Sequence, residues 1–138
     1  MSVRYRTSAF NDDGGVGVTR VPGGLAVAVS NPLDPHHDPA ASNPEQLLAL
    51  SWATCLNATA QAVVQRARRT AVRVEVAMRD AEERTGYEFV VTAFVSAEGL
   101  DETATARLAA DVHDRCPVSR LLQGAATVSV ETEAWAAR

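Results

Sequence analysis

Aromatic residues are scarce, at 5% of the 138 positions, so the core cannot be built around stacked rings and must be filled by small apolar side chains. Apolar residues as a whole reach 46%, mostly alanine and valine, which is enough for one core and predicts one domain over residues 1–138. A core of small side chains also favours a large interface with a second copy of the chain.

Other absences narrow the function. No apolar run approaches the roughly 18 residues that cross a bilayer, and Met1 to Phe10 holds no apolar stretch of the signal-peptide kind. The expected location is the cytoplasm, with no membrane partner. The formal charge is −4, and a phosphate-backbone partner would need lysine and arginine gathered on one face; nucleic acid is not an expected ligand. The one basic cluster, Arg66, Arg68 and Arg69, falls at the end of a predicted helix, where cations complement the negative end of the dipole. Glycine-rich phosphate loops, Ser-His-Asp arrangements and dinucleotide fingerprints are missing. His36-His37-Asp38 and the His113-x-x-Cys116 spacing lack the four ligands of a structural zinc site, so no metal and no other cofactor is expected. Cysteine is limited to Cys55 and Cys116. In a reducing compartment two cysteines are seldom a structural staple, which leaves catalysis, redox switching or plain burial.

What is present reads as an α+β chain. Val3–Phe10, Gly17–Val21 and Leu25–Ser30 read as strands of an antiparallel meander, broken at residues 11–15 and 22–24. Asn31 to Asn43, with Pro32, Pro35 and Pro39, is a loop. From Pro44 to about Arg69 neither glycine nor proline recurs, and a long helix is predicted, opened by a capping box of Ser42 and Glu45 around Pro44. Apolar or small residues nearly all round, from Leu47 to Val64, predict burial on most sides. Thr70–Asp80 and Tyr87–Ala97 read as a hairpin, Asp101–Arg115 and Pro117–Gln123 as helices, and Ala126–Thr132 as a last strand.

Two segments carry a resemblance. Residues 42–56, Ser-Asn-Pro-Glu-Gln-Leu-Leu-Ala-Leu-Ser-Trp-Ala-Thr-Cys-Leu, and residues 115–120, Arg-Cys-Pro-Val-Ser-Arg, together resemble the two signatures of the OsmC/Ohr family, and the resemblance covers nearly the whole chain. It implies antiparallel sheets wrapped around a long central helix in an intertwined homodimer. It further implies a thiol peroxidase that reduces organic hydroperoxides to alcohols. In that scheme Cys55 attacks the peroxide and becomes a sulfenic acid, Cys116 resolves it as an intramolecular disulfide, and a dithiol such as dihydrolipoamide reduces the pair. Glu45 becomes the acid that orients a cation beside the thiolate, and Leu48, Trp52 and Leu56 become the walls of a substrate pocket.

Two points stay open. Cys116 precedes Pro117 at a predicted helix start, so the dipole alone would make it the more acidic thiol and the nucleophile, whereas the resemblance favours Cys55. The arginine that Ohr-type members carry in the early glycine-rich turn falls near Gly14 or Gly15, where this sequence has none; Arg20 is the nearest candidate and Arg6 a second. A small-molecule binder without turnover, or a sensor that switches on the Cys55–Cys116 pair, are the alternatives on the same fold. Because ten helical residues rise about 15 Å, one Glu45 side chain cannot span to Cys55 of its own helix, and a site shared across the homodimer is expected.

Overall fold

The computed structural model describes residues 2–137. The element order is β1 (Gly17–Arg20), β2 (Ala26–Val29), α1 (Pro44–Val63), β3 (Thr70–Asp80), β4 (Tyr87–Ala97), α2 (Glu102–Arg115), α3 (Pro117–Leu122) and β5 (Val128–Thr132). Contacts gather into two compact units that divide after Leu47.

In the first unit β1 and β2 pair antiparallel, with Gly17 opposite Val29. The turn before β1 is held by side chains: Asn11 Oδ1 accepts the Gly14 N–H at 2.8 Å and Asp13 Oδ2 accepts the Val18 N–H at 2.9 Å. Gly17 has φ 135°, and a Cβ there would collide with the Asp13 side chain, so both conformation and space require glycine. Residues 3–10 do not form the expected first strand. Phe10 alone makes a bridge, to Arg20, and an extended segment without a neighbouring strand makes no ladder, whatever its propensity.

The second unit holds a three-stranded sheet in the order β3-β4-β5. The hairpin pairs Thr70 with Ala97 and Asp80 with Tyr87, as the alternation of Val72, Val74 and Val76 predicts. The expected antiparallel pairing holds for β1–β2 and β3–β4 and is corrected only at β5, which lies parallel to β4 with Val91 opposite Val128. A parallel neighbour needs a crossover rather than a tight turn, and α2 with α3 supplies it. One face of β4, namely Val91, Ala93, Val95 and Ala97, is buried together with Trp52, Leu56 and Ala60 of α1 and Leu108, Ala109 and Val112 of α2. Alanines from all three elements, Ala60, Ala93, Ala97 and Ala109, help to fill this core, which is how a chain poor in aromatics closes it.

Helix α1 departs from expectation at both ends. Asn43, not Ser42, caps it: Asn43 Oδ1 accepts the Gln46 N–H at 2.9 Å, while the Ser42 N–H donates to Ala28 O at 2.8 Å and its hydroxyl is buried without a partner. With Pro44 as first helical residue, the cap position falls on Asn43, and the capping box is not formed. The helix stops at Val63 rather than near Arg69. Gln65 and Arg66 take left-handed φ values of 53° and 56°, and the Arg66 N–H returns to Gln61 O at 3.0 Å, a Schellman-type closure made without glycine. Burial on most sides is also corrected: the buried residues of α1 are the single stripe Trp52, Leu56 and Ala60, and Leu50 is 63% exposed.

Candidate functional site

Cys116 occupies the junction of two helices. Its N–H donates to Val112 O at 2.9 Å, closing α2, and its carbonyl accepts the Arg120 N–H at 2.9 Å, opening α3. Its sulfur accepts the Ser119 N–H at 3.5 Å as the side-chain cap of α3. Pro117 makes the break: the residue before a proline is pushed out of the helical region, and Cys116 has φ −65° and ψ 124°. The thiol is fully buried.

Cys55 stands on α1, one residue before the buried Leu56, and is half-buried. The structure brings the two sulfurs together. The two thiols act on each other electrostatically, and the Val118 backbone also acts on the Cys55 sulfur. Residues 61 positions apart thus form one dithiol, and both thiols are free.

A buried hydrogen bond sets this alignment. Trp52 Nε1 donates to Ser119 Oγ at 2.9 Å, and both side chains are fully buried. Trp52 lies three residues before Cys55 and Ser119 three after Cys116, so the bond ties α1 to α3 one helical turn from each sulfur. Ser119 and the Val118 amide were inside the Cys-Pro-Val-Ser motif but carried no assigned role; the i, i+3 spacing of a helix cap was the signal for them.

The Cys55 thiol is pushed above its ordinary value near 9.0, chiefly by burial and further by the adjoining Cys116; the Val118 N–H acts in the opposite direction. Burial disfavours the thiolate because a charge loses its hydration. Among the described residues, no cation is among the groups that act on this sulfur.

The remaining candidates are placed as follows. Trp52 and Leu56 are fully buried core residues and Leu48 packs against that core. Glu45 lies in the first turn of α1, with Oε2 buried and without a hydrogen-bond partner. Arg20 pairs with Asp12 at 3.6 Å and lies over the Phe10 ring at 5.9 Å, whereas Arg6 is exposed. His36 and His37 sit in an exposed loop shaped by Asp34, whose Oδ1 accepts the His36 N–H at 2.8 Å. Among the described residues no three His, Cys, Asp or Glu side chains are grouped to hold a metal, and no helix is long and apolar enough to cross a membrane.

A mixed sheet backed by helices, with one cysteine on a long helix and the other at a Cys-Pro helix start, defines an α+β fold class. The family model described as OsmC-like protein matches residues 36–131, and the chain belongs to that family. It is 33% identical over 94 residues to the organic hydroperoxide resistance protein OhrA of Bacillus subtilis, an overlap of 66% of this chain and 67% of that protein. A solved structure assigned as a redox protein, from Lactobacillus casei, is 37% identical with a TM-score of 0.87, covering 99% of this chain and 96% of that one. The organic hydroperoxide resistance protein OsmC of Legionella pneumophila is 25% identical with a TM-score of 0.82, covering 98% and 100%.

Proposed function

We propose that this protein is a thiol peroxidase that reduces organic hydroperoxides to alcohols. The observation that carries the reading is the pairing of a half-buried thiol, Cys55, with a fully buried one, Cys116. A peroxide must reach the sulfur it oxidises, so the accessible Cys55 is the peroxidatic residue and Cys116 the resolving one; access outweighs the helix-dipole argument for Cys116, whose sulfur already caps α3.

The chemistry balances without metal or flavin. The Cys55 thiolate attacks the terminal, hydrogen-bearing oxygen of the hydroperoxide, the O–O bond breaks, and the alkoxide takes a proton from solvent and leaves as alcohol. The resulting Cys55 sulfenic acid is attacked by the Cys116 sulfur; an S–S bond forms and the hydroxyl leaves as water with the Cys116 proton. A dithiol such as dihydrolipoamide then reduces the disulfide by exchange. Leu48, close in sequence to Trp52 and Leu56, supplies an apolar wall for the alkyl group.

Among the described residues no cation acts on the raised Cys55 thiol, and we assign the activating cation to a homodimer. The exposed face of α1, with Leu50, Thr54, Ala58 and Ala62, is the surface a second copy would cover in a two-fold arrangement. Glu45, whose buried carboxylate oxygen lacks a partner, then orients a cation, with Arg20 as the nominated one, beside Cys55 of the other chain.

Peroxide consumption with a dithiol, followed by mass spectrometry, tests the reading. Cys55→Ser should abolish consumption, and Cys116→Ser should oxidise once and stall as sulfenic or over-oxidised acid. The reverse pattern would exchange the two roles, and turnover by both variants would refute the mechanism. Mixing Glu45→Ala chains with Cys55→Ser chains should restore activity at one site per heterodimer; no recovery after confirmed subunit exchange would sink the shared site.

A further inference from the structure

The thiol mechanism leaves unused an open, solvent-facing cavity of about 520 Å³ at the C-terminal end of α1, lined by Arg66, Arg68 and Arg69 together with Asn57, Gln61 and Thr70. All 13 basic residues of the chain are arginine, so three of them within four positions concentrate a large share of its positive charge. Elsewhere Arg20, Arg73, Arg79 and Arg115 each pair with a carboxylate, and the remaining described arginines are scattered singly along the chain. Arg66, Arg68 and Arg69 pair with none among the described residues. Glu98 is the one acid that also lines the cavity, leaving an excess of two positive charges.

The plain alternative, that these arginines serve the negative end of α1, is not what the contacts show. The last carbonyls of the helix are taken by backbone: Ala60 O by the Val64 N–H, Gln61 O by that of Arg66 and Ala62 O by that of Gln65, at 3.0 to 3.2 Å. The helix itself has no basic residue in its last turn. Arg68 Nη1 instead donates to Glu98 O at 2.9 Å, which fixes the side chain and leaves its other donors unused, and Arg69 lies over the Trp135 ring at 5.3 Å, a contact that occupies its face and leaves its edge.

Beneath the arginines is a rigid polar floor. Thr70, 9% exposed, donates to Asn57 Oδ1 at 2.8 Å and accepts from Gln61 Nε2 at 2.5 Å, and Gln61 Nε2 also reaches Arg68 O at 3.2 Å. The turn carrying Arg66 is held in two successive left-handed non-glycine residues, a conformation that persists only where its surroundings impose it.

We propose that this cavity is a binding site for a small, multiply charged oxyanion, such as a phosphate ester or polycarboxylate, held by guanidinium forks. Planar forks with fixed donors match the oxygens of such groups bidentately, in a way that a single diffuse charge would not.

Isothermal titration at low ionic strength with inorganic pyrophosphate, and separately with citrate, tests the site. The wild type should bind one pyrophosphate per chain saturably. Arg66→Gln/Arg69→Gln should weaken it by about tenfold or more, as loss of charge-assisted bonds requires, while the equally discharged Arg79→Gln/Arg84→Gln retains it. Unchanged unfolding midpoints without ligand establish that both variants are folded. Pyrophosphate binding well above citrate identifies a phosphate ligand, and the reverse a polycarboxylate. Absence of saturable binding by either anion, or an equal loss in the two double variants, would overturn the proposal, the second because it marks a bulk-charge effect.

Discussion

Removing the Ser119 hydroxyl is the sharpest test of how the dithiol is aligned. Ser119→Ala deletes the acceptor of the 2.9 Å bond from Trp52 Nε1 and leaves an indole N–H in a fully buried site. A buried donor left without a partner costs about 1–3 kcal/mol, and in a chain of this size 1 kcal/mol lowers the melting point by about 2–5 °C. Trp52→Phe also loses the bond and leaves part of the indole volume empty, adding a cavity penalty. The double variant should be less destabilised than the sum of the singles by about 1 kcal/mol, since the second change removes a bond already broken. Urea unfolding of the reduced protein gives these values, provided the slope of free energy on urea stays constant across variants. The same bond sets α1 against α3, so Ser119→Ala should also slow closure of the Cys55–Cys116 disulfide after one equivalent of cumene hydroperoxide, while leaving the first oxidation of Cys55 intact. A Ser119→Ala variant within about 0.5 kcal/mol of wild type, closing its disulfide at the wild-type rate, would refute the argument that this bond positions the thiols.

Alkylation of Cys55 followed against pH tests the cation proposed to come from a second copy of the chain. The thiolate is the reactive form, so the rate rises as pH passes the folded value; burial holds that value above the ordinary 9.0, and Glu45→Ala should show it there, whereas the wild-type dimer should titrate lower. Equal midpoints would remove Glu45 from the site. Asn43→Ala should cost about 1 kcal/mol through loss of its cap and Ser42→Ala much less, measured by thermal unfolding, because only Asn43 accepts a helix N–H. Thr70→Val, which strands Gln61 and Asn57, should destabilise by about 1–3 kcal/mol in urea.

Much of the architecture was legible where the pattern was local. Residues 70–80 and 87–97 announced their pairing through alternation and an intervening polar turn, and the register runs without a slip from one end to the other. Asp101 before α2 read as an acidic start, and its side chain accepts the Ala104 N–H at 2.8 Å. What depended on distant or absent partners was not legible. Residues 3–10 have strand composition but no strand beside them. The direction of β5 follows from the path of the crossover, not from Val128 and Val130. The end of α1 escaped because a non-glycine pair, Gln65 and Arg66, adopts the conformation that glycine usually marks. Of the site, the two cysteines were legible through their flanking motifs, and their proximity was implied by the resemblance; the Trp52–Ser119 bond was hidden by a separation of 67 positions.

The parallel pairing of β4 with β5 bears on the order of folding. The β3–β4 hairpin closes over a short turn, but β5 cannot dock until α2 and α3 have formed and brought the chain back, and such non-local contacts form late because loop closure precedes their reward. Cys116 is carried by that same returning segment. Assembly of the dithiol is thus coupled to the last stage of folding, and a newly made chain acquires its paired sulfurs only when the sheet is complete. Until then the hydrogen-bonding edge of β4 that β5 will cover stands open, so the interval before the sulfurs are paired is also the interval of greatest exposure to misassembly.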